Sequence, residues 1–411
     1  MAADAPRTAT SGREAGDMSR FPTCSKPASW SRSYTEKRGE CTARGSAQLR
    51  ETCPYGVSCD LGWLWSVSQG PSLVRSIRAD LFHFYIYEII RRLFMKNIWQ
   101  ELPKPIMILA PMEAVTDVVF RHVITEASRP SLYFTEFTNA TGWMHAGDKA
   151  IGGRLVKTDD ENPIIAQLWG SDPLAMEKLS IRCKELGYDG IDINMGCPDA
   201  SAIKGGGGAQ MIRTPEVAAR MIAAAKKSGL PVSVKTRLGY SGVDEWREWL
   251  RFVLEQDVVA LTIHLRTKKE MSKVDAHWEL MDEIKALRDE VAPQTLLIGN
   301  GDVRDHTHGM ELIEKTGIDG VMIGRGIFHN PFAFEQTPRV HSREELLGLL
   351  RLQLDLYDTY SDLTGRPFDT LKRFFKIYIR DFEGASVLRD RLMRTHSTEE
   401  VRRTVDAFLV E

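Results

Sequence analysis

The sequence has little that would point to a secreted or membrane-embedded protein. It holds six cysteines in 411 residues and no CxxC pair, and four of them (Cys24, Cys41, Cys53, Cys59) lie before residue 60. A chain of this length does not need disulfides, and Cys53 and Cys59 are spaced more widely than zinc-site pairs. A reducing, cytoplasmic setting without a metal is therefore expected. No uncharged apolar run reaches the roughly 18 residues of a spanning helix. The longest candidate, 81–95, is broken by His83, Glu88, Arg91 and Arg92, so no membrane association is expected. An excess of one charge is also missing. With 54 Lys+Arg against 56 Asp+Glu and a net charge of −2, a generally polybasic nucleic-acid binder is excluded, and any such contact must use a local patch. The 43% hydrophobic and 27% charged residues are ordinary globular values and exclude a wholly disordered chain, a collagen and a coiled coil. At roughly 150 residues per domain, the length fits two or three domains, or one large α/β barrel with an appendage.

Residues 1–94 differ from the rest. Up to about residue 78 they are rich in Ser, Arg, Thr and Gly without a sustained period, which reads as an extension of low order. Asp4, Glu14 and Asp17 argue against a mitochondrial transit peptide. ADLFHFYIYEIIRRLF (79–94) has the pattern of one amphipathic helix, and the sequence after Met95 reads like the start of a compact domain. The expectation is that Met95 is the biological start and that the upstream stretch is not native.

Eight short apolar runs then recur at 106–110, 132–135, 164–168, 190–193, 232–234, 261–263, 296–298 and 321–323. Amphipathic stretches such as 173–186, 215–228 and 246–255 lie between them. Continuous apolar strands alternating with helices indicate parallel βαβ units, and eight such units match a (β/α)8 TIM barrel. The alternative is an open doubly wound sheet. The expected organisation is a barrel over 95–335 and a helical domain over 336–411.

In a barrel, functional residues follow the strands, and here those positions are polar. APMEAVTD (110–117) follows the first run and Gln167 ends the third. NMGCPD (194–199) follows the fourth, KTRLG (235–239) the fifth and HLRT (264–267) the sixth. GNGD (299–302) and GRG (324–326) follow the last two. Glycines there let backbone N–H groups approach an anion at the usual barrel phosphate site. Lys235 and Gln167 suit a planar heterocycle. A phosphate at one end and heterocycle contacts in the middle suit FMN, and no GxGxxG follows an early strand to indicate a Rossmann-bound nicotinamide. Cys197, in a Gly-Cys-Pro loop at the barrel mouth, is either a buried small hydrophobe or a proton donor, because a thiol with a pKa of about 8.5 is mostly protonated at neutral pH. A thiol acid opposite a reduced flavin suits reduction of a polarised C=C bond. Cys183 sits mid-helix and reads as structural.

APMEAVTDVVFR (110–121), the Asn-x-Gly-Cys-Pro of 194–198, KTRLG, HLRT, NGD and GRG, in this order and spacing, resemble the tRNA-dihydrouridine synthases over about residues 100–411. The resemblance implies an FMN enzyme that takes hydride from NADPH and reduces the C5=C6 bond of a uridine in tRNA. It implies that Pro111, Met112 and Glu113 line the flavin, and that Gln167 and Lys235 bond its ring. His264, Asn300, Gly301, Asp302, Gly324 and Arg325 would hold ribityl and phosphate. Cys197 would protonate C5, with Asn194 and Arg266 at the substrate. The sequence departs from the family pattern after the cysteine, where Ala200 and Ser201 stand in place of a lysine pair. It departs again at GGGGAQM (205–211), which reads as a mobile loop, and at KKEMSKVDAHW (268–278).

The last 70 or so residues read as four helices, with Ser342 and Ser397 as N-caps, and resemble the helical domain that follows the barrel in that family. Lys372, Lys376 and Arg380 are spaced as one helical stripe with Arg373 beside them, opposite Leu371, Phe374, Phe375 and Tyr378. This stripe is either a solvated face or a set of tRNA phosphate contacts, which position RNA without reading its sequence. A target base inside folded tRNA must be extruded; Trp169 and Tyr133 are the aromatic residues near strand ends. A monomer is expected. The competing readings are an FMN barrel acting on a free small molecule, in the manner of a dihydroorotate dehydrogenase, and an RNA-binding protein with an inactive barrel.

Overall fold

The computed structural model describes residues 97–410 with the exception of residue 152. The extension and helix read over 1–94 lie outside the described residues. Nine short strands form the sheet: β1 (Ile106–Leu109), β2 (Tyr133–Phe134), β3 (Thr138–Asn139), β4 (Ile164–Trp169), β5 (Gly190–Met195), β6 (Val232–Arg237), β7 (Ala260–His264), β8 (Leu296–Asn300) and β9 (Gly320–Ile323). All pairings are parallel, in the order β1-β9-β8-β7-β6-β5-β4-β2, with β3 also on β4. The ring closes where Ile108 bridges Leu132 and the Leu109 N–H donates to the Leu132 carbonyl at 3.2 Å. The expected (β/α)8 barrel is thus observed, and each of the eight apolar runs lies on a stave. The second stave is split into β2 and β3. Between them the Thr135 hydroxyl accepts the Gln167 N–H at 3.0 Å, where a ladder carbonyl would stand.

Side-chain alternation sorts the barrel into two cores. Met107, Leu109, Ile191, Ile193, Val232 and Val234 point outward into the large cluster shared with the helices. Ile106, Ile108, Phe134, Ile165, Ile298 and Met322 fill the lower interior, together with Trp99 from the short helix Ile98–Glu101. Trp99 is fully buried and meets Phe134 edge-on at 6.2 Å. One step further along each strand, the same inward phase carries Gln167, Asn194, Lys235, His264 and Asn300. The interior is therefore apolar at the bottom and polar at the top, which makes a site at one end of a packed barrel.

Helices Pro173–Glu185, Pro215–Lys226 and Trp246–Leu254 stand where the amphipathic stretches placed them. Ser342 is the expected N-cap of helix Arg343–Thr364 and forms a capping box with Glu345; the helix packs on helix Val118–Ala127 of the barrel. The stretch after Pro367 differs from expectation. It winds as a 3-10 turn over Phe368–Phe374 and continues as a four-residue helix, Phe375–Tyr378. Ile377, Tyr378 and Ile379 are all buried. Three consecutive buried residues cannot share one helix face, so the chain turns into the core and the predicted stripe is broken. Among the described residues, no helix is long and apolar enough to cross a membrane.

Candidate active site

Strand register brings the polar residues together. Gln167 stands opposite Asp192, Asn194 opposite Lys235, and His264 opposite Asn300. A cavity of about 490 Å³ opens above them at the C-terminal ends of the strands. Of the residues expected at the cofactor, Pro111, Met112, Lys235, His264, Asn300, Gly301, Asp302, Gly324 and Arg325 line it. Arg304 and His329 line it as well. Sequence reasoning missed these two, because neither belongs to a strand-end motif.

The wall is arranged for an anionic, hydrogen-bonding ligand. Lys235 Nζ donates to Asn300 Oδ1 at 3.2 Å, and Asn300 Nδ2 donates to the Met322 carbonyl at 2.8 Å. Burial, followed by the charge of Arg237, lowers the Lys235 ammonium to about 8. His264 is held well below its usual range by burial and by the surrounding Arg237, Lys235, Arg266 and Arg325, so its ring is neutral. Its Nδ1 is buried without a partner among the described residues. His264 lines the cavity, and a neutral imidazole carries one N–H donor and one acceptor nitrogen for hydrogen bonding. Arg325 donates to Asp302 at 3.0 Å. Asp302 also accepts from Arg266 and, at 3.0 Å, from the Ala276 N–H. Gly326 has no room for a side chain, since a Cβ would sit 2.3 Å from the Arg304 carbonyl oxygen.

The remaining expected residues support the site from behind. Arg266 is almost fully buried, held by the Val274 carbonyl at 2.6 Å and by Asp302, and its Nη1 has no partner. It therefore orders the 268–278 loop and stands under the mouth. Glu113 is ion-paired with Arg154 and lies outside the cavity wall. Gln167 is fully buried in a chain of hydrogen bonds. Ser233 donates to Asp192 at 2.7 Å, Gln167 Nε2 donates to Asp192 at 2.7 Å, and Asn194 Nδ2 donates to Gln167 Oε1 at 3.0 Å. Asn194 Oδ1 then accepts the N–H groups of Gly196 and Cys197 at 3.1 and 2.9 Å. Asp192 anchors this chain and was not singled out in the sequence, although a lone acid in GIDINM was a visible signal. Burial raises its carboxyl to about 6 against the pull of Ser233, Gln167 and Lys235.

Cys197 thus sits on a braced loop at the same end of the barrel. Arg237 Nε fixes the preceding carbonyl of Gly196 at 2.7 Å. Burial raises the thiol above its ordinary value, outweighing the opposite influence of Arg237 and Lys235, so it stays protonated at neutral pH. Within the 205–211 stretch, expected to be mobile, Gly207, Gly208, Ala209 and Met211 are buried, and Gly208–Arg213 forms a 3-10 segment against this loop. The Ala209 N–H donates to the Cys197 carbonyl at 3.0 Å. Gly208 has φ 56°, and a Cβ there would lie 2.7 Å from that carbonyl oxygen. Its glycine serves close approach, which composition alone does not distinguish from flexibility. Cys183 is fully buried, in keeping with a structural role. Tyr133 is buried, whereas Trp169 is half-buried beside Gly207.

The basic residues of the C-terminal region do not form one free face. Lys372 pairs with Asp369 at 2.7 Å, and Arg373 donates to the Ala114 carbonyl at 3.0 Å. Arg380 donates to the His329 carbonyl. Lys376 is exposed.

Among curated proteins, the chain is 59% identical over 314 residues to the probable tRNA-dihydrouridine synthase 2 of Bacillus subtilis (strain 168), covering 76% of this chain and 97% of that protein. It is 57% identical to the probable tRNA-dihydrouridine synthase of Staphylococcus epidermidis (strain ATCC 35984), covering 76% of this chain and 96% of that one. Among solved structures, a variant of NCR from Zymomonas mobilis matches with a TM-score of 0.37 at 17% identity, covering 55% of this chain and 83% of that chain. Residues 108–411 match the family described as dihydrouridine synthase (Dus), so with strands, site motifs and two full-length relatives in agreement, the chain belongs to the dihydrouridine synthase family.

Proposed function

We propose that the protein is a tRNA-dihydrouridine synthase that binds FMN in the 490 Å³ cavity and uses NADPH as reductant. The observation that carries the cofactor assignment is the donor set of the cavity wall, with a neutral His264 between Lys235 and the anion-receptive loops of Gly301 and Gly324–Gly326. Arg304, Arg325 and the backbone of those loops would hold the phosphate. Lys235 would donate to the ring system, and Met112 with Pro111 would cover one side. Bound there, the flavin supplies hydride to one carbon of the uracil C5=C6 bond.

The chain's own residues do the rest. Cys197 holds a proton at Sγ and delivers it to C5, and its raised pKa keeps that proton in place before the reaction. Asn194 aims the cysteine loop through two N–H bonds, and Gln167 and Asp192 fix the orientation of Asn194. Residues 336–411 act as the helical domain that presents basic residues to tRNA, among them the exposed Lys376. The protein works as a soluble cytoplasmic monomer. Purified protein should be yellow, and Cys197→Ala should keep its flavin while losing dihydrouridine formation by about 10²–10⁴-fold. Colourless protein would refute the cofactor assignment. A yellow C197A variant with full activity would refute the acid role.

A further inference from the structure

Two arginines of the C-terminal region reach back to a single turn of the barrel, Arg373 directly and Arg366 through Glu136. The turn follows Met112, whose carbonyl accepts the N–H groups of Val115 and Thr116 at 3.1 Å and whose own N–H donates to Thr116 Oγ1 at 2.9 Å. Its middle residue, Ala114, has φ 56°. Alanine has no side-chain polar group with which to stabilise the left-handed region, and that conformation is unfavourable for it. Both of its backbone groups are gripped from outside. The Ala114 N–H donates to Glu136 Oε1 at 2.5 Å, and the Ala114 carbonyl accepts from Arg373 at 3.0 Å.

Glu136 lies in the break between β2 and β3 and is fully buried. Both of its oxygens accept from Arg366, at 2.6 and 2.8 Å. Arg366 is in turn fixed through its carbonyl, which accepts from the Tyr357 hydroxyl at 2.7 Å. The neighbouring acid Glu113 is occupied by Arg154. A strained turn held at its N–H by Glu136, 22 residues on and itself held by Arg366 a further 230 residues away, and at its carbonyl by Arg373, 259 residues away, is over-determined by tertiary structure, as residues in sparse backbone regions must be.

We propose that Arg366 and Arg373 are positioning residues for the cofactor cavity: through Glu136 and directly, they lock the Ala114 turn that sets the wall formed by Pro111 and Met112. The C-terminal region is then part of the cofactor-site architecture as well as an RNA-facing surface. The flavin aspect rests on the reading of the cavity given above, whereas the lock itself does not.

Arg373 is the residue to test, because it is exposed and its removal leaves no buried charge. Arg373→Ala should speed amide hydrogen exchange across 110–117 in the flavin-free protein. It should also weaken FMN binding about five-fold, the Boltzmann weight of one left-handed alanine. Adding Ala114→Gly should restore FMN affinity to within about two-fold, because glycine takes the positive φ without the lock. Arg373→Lys should fall between wild type and Arg373→Ala. Unchanged exchange at 110–117 in Arg373→Ala overturns the lock. A raised KM for tRNA with unchanged exchange and FMN affinity would make Arg373 an RNA contact instead, and so would also overturn it. If the wild type bound no FMN, the functional reading would fail while the exchange experiment still decided the lock.

Discussion

Gly208→Ala tests the placement of Cys197 without touching the thiol. The added Cβ would lie 2.7 Å from the Cys197 carbonyl oxygen, 3.2 Å from the Cys197 Cβ and 3.4 Å from the Ala202 Cβ. The first distance is far inside van der Waals contact, so something must move. The backbone at φ 56° adds about 1–2 kcal/mol for an L-residue, and overpacking adds about 1–3 kcal/mol. A stability loss of about 2–5 kcal/mol follows. The carbonyl under pressure belongs to Cys197 itself, so relief displaces the cysteine loop from the Asn194 bonds that aim it. A misplacement of about 1 Å costs about 10²-fold in rate. Gly208 does not line the cavity, so flavin content should stay at wild-type level. Single-turnover dihydrouridine formation on tRNA, flavin absorbance and urea unfolding together make the assay. Gly348→Ala is the control: nothing lies within 4 Å of its added Cβ, it sits inside helix Arg343–Thr364, and it should gain about 1 kcal/mol. A Gly208→Ala enzyme that is destabilised but turns over at the wild-type rate would refute the argument that this close approach positions the sulfur.

Three further expectations can be checked independently. Because Lys235 in the folded protein titrates near 8 against an ordinary 10.5, the unfolded chain holds more protons between these values. Stability of the flavin-free protein should therefore rise across that window, by up to about 3 kcal/mol, and urea midpoints of Lys235→Met should lack this rise. FMN affinity should fall as pH passes 8 in the wild type and stay flat in the same variant, as fluorescence titration would show. Trp99→Ala removes the fully buried plug at the bottom of the barrel and should cost about 3–5 kcal/mol, read by chemical denaturation, without moving the flavin absorption maximum. Lys376→Glu should raise KM for tRNA and leave kcat and flavin content unchanged, whereas Lys372→Glu, whose cation is already paired with Asp369, should change KM less.

The alternation of apolar runs with amphipathic stretches determined eight parallel βαβ units from sequence, whereas closure into a barrel rests on the Ile108–Leu132 bridge. Parallel strands buried on both faces need continuous apolar runs, and that pattern is local. The polar and glycine positions just after the apolar runs marked Lys235, His264, Asn300 and Gly324, which line the cavity, and the Gly-Cys-Pro loop marked Cys197. Other assignments needed the folded chain. Gln167 and Asn194 looked like ligand contacts but brace one another and Cys197, because the register sets Gln167 beside Asp192 and Asn194 beside Lys235. Arg266 and Arg373, assigned to the substrate from sequence, also hold Asp302 and the Ala114 carbonyl. The helical stripe dissolved because three consecutive residues at 377–379 are buried. Periodicity reports which way a side chain faces within its own element. Whether a charge on that face remains free depends on partners such as Glu136 and Arg366, 230 residues apart, and only packing brings those together.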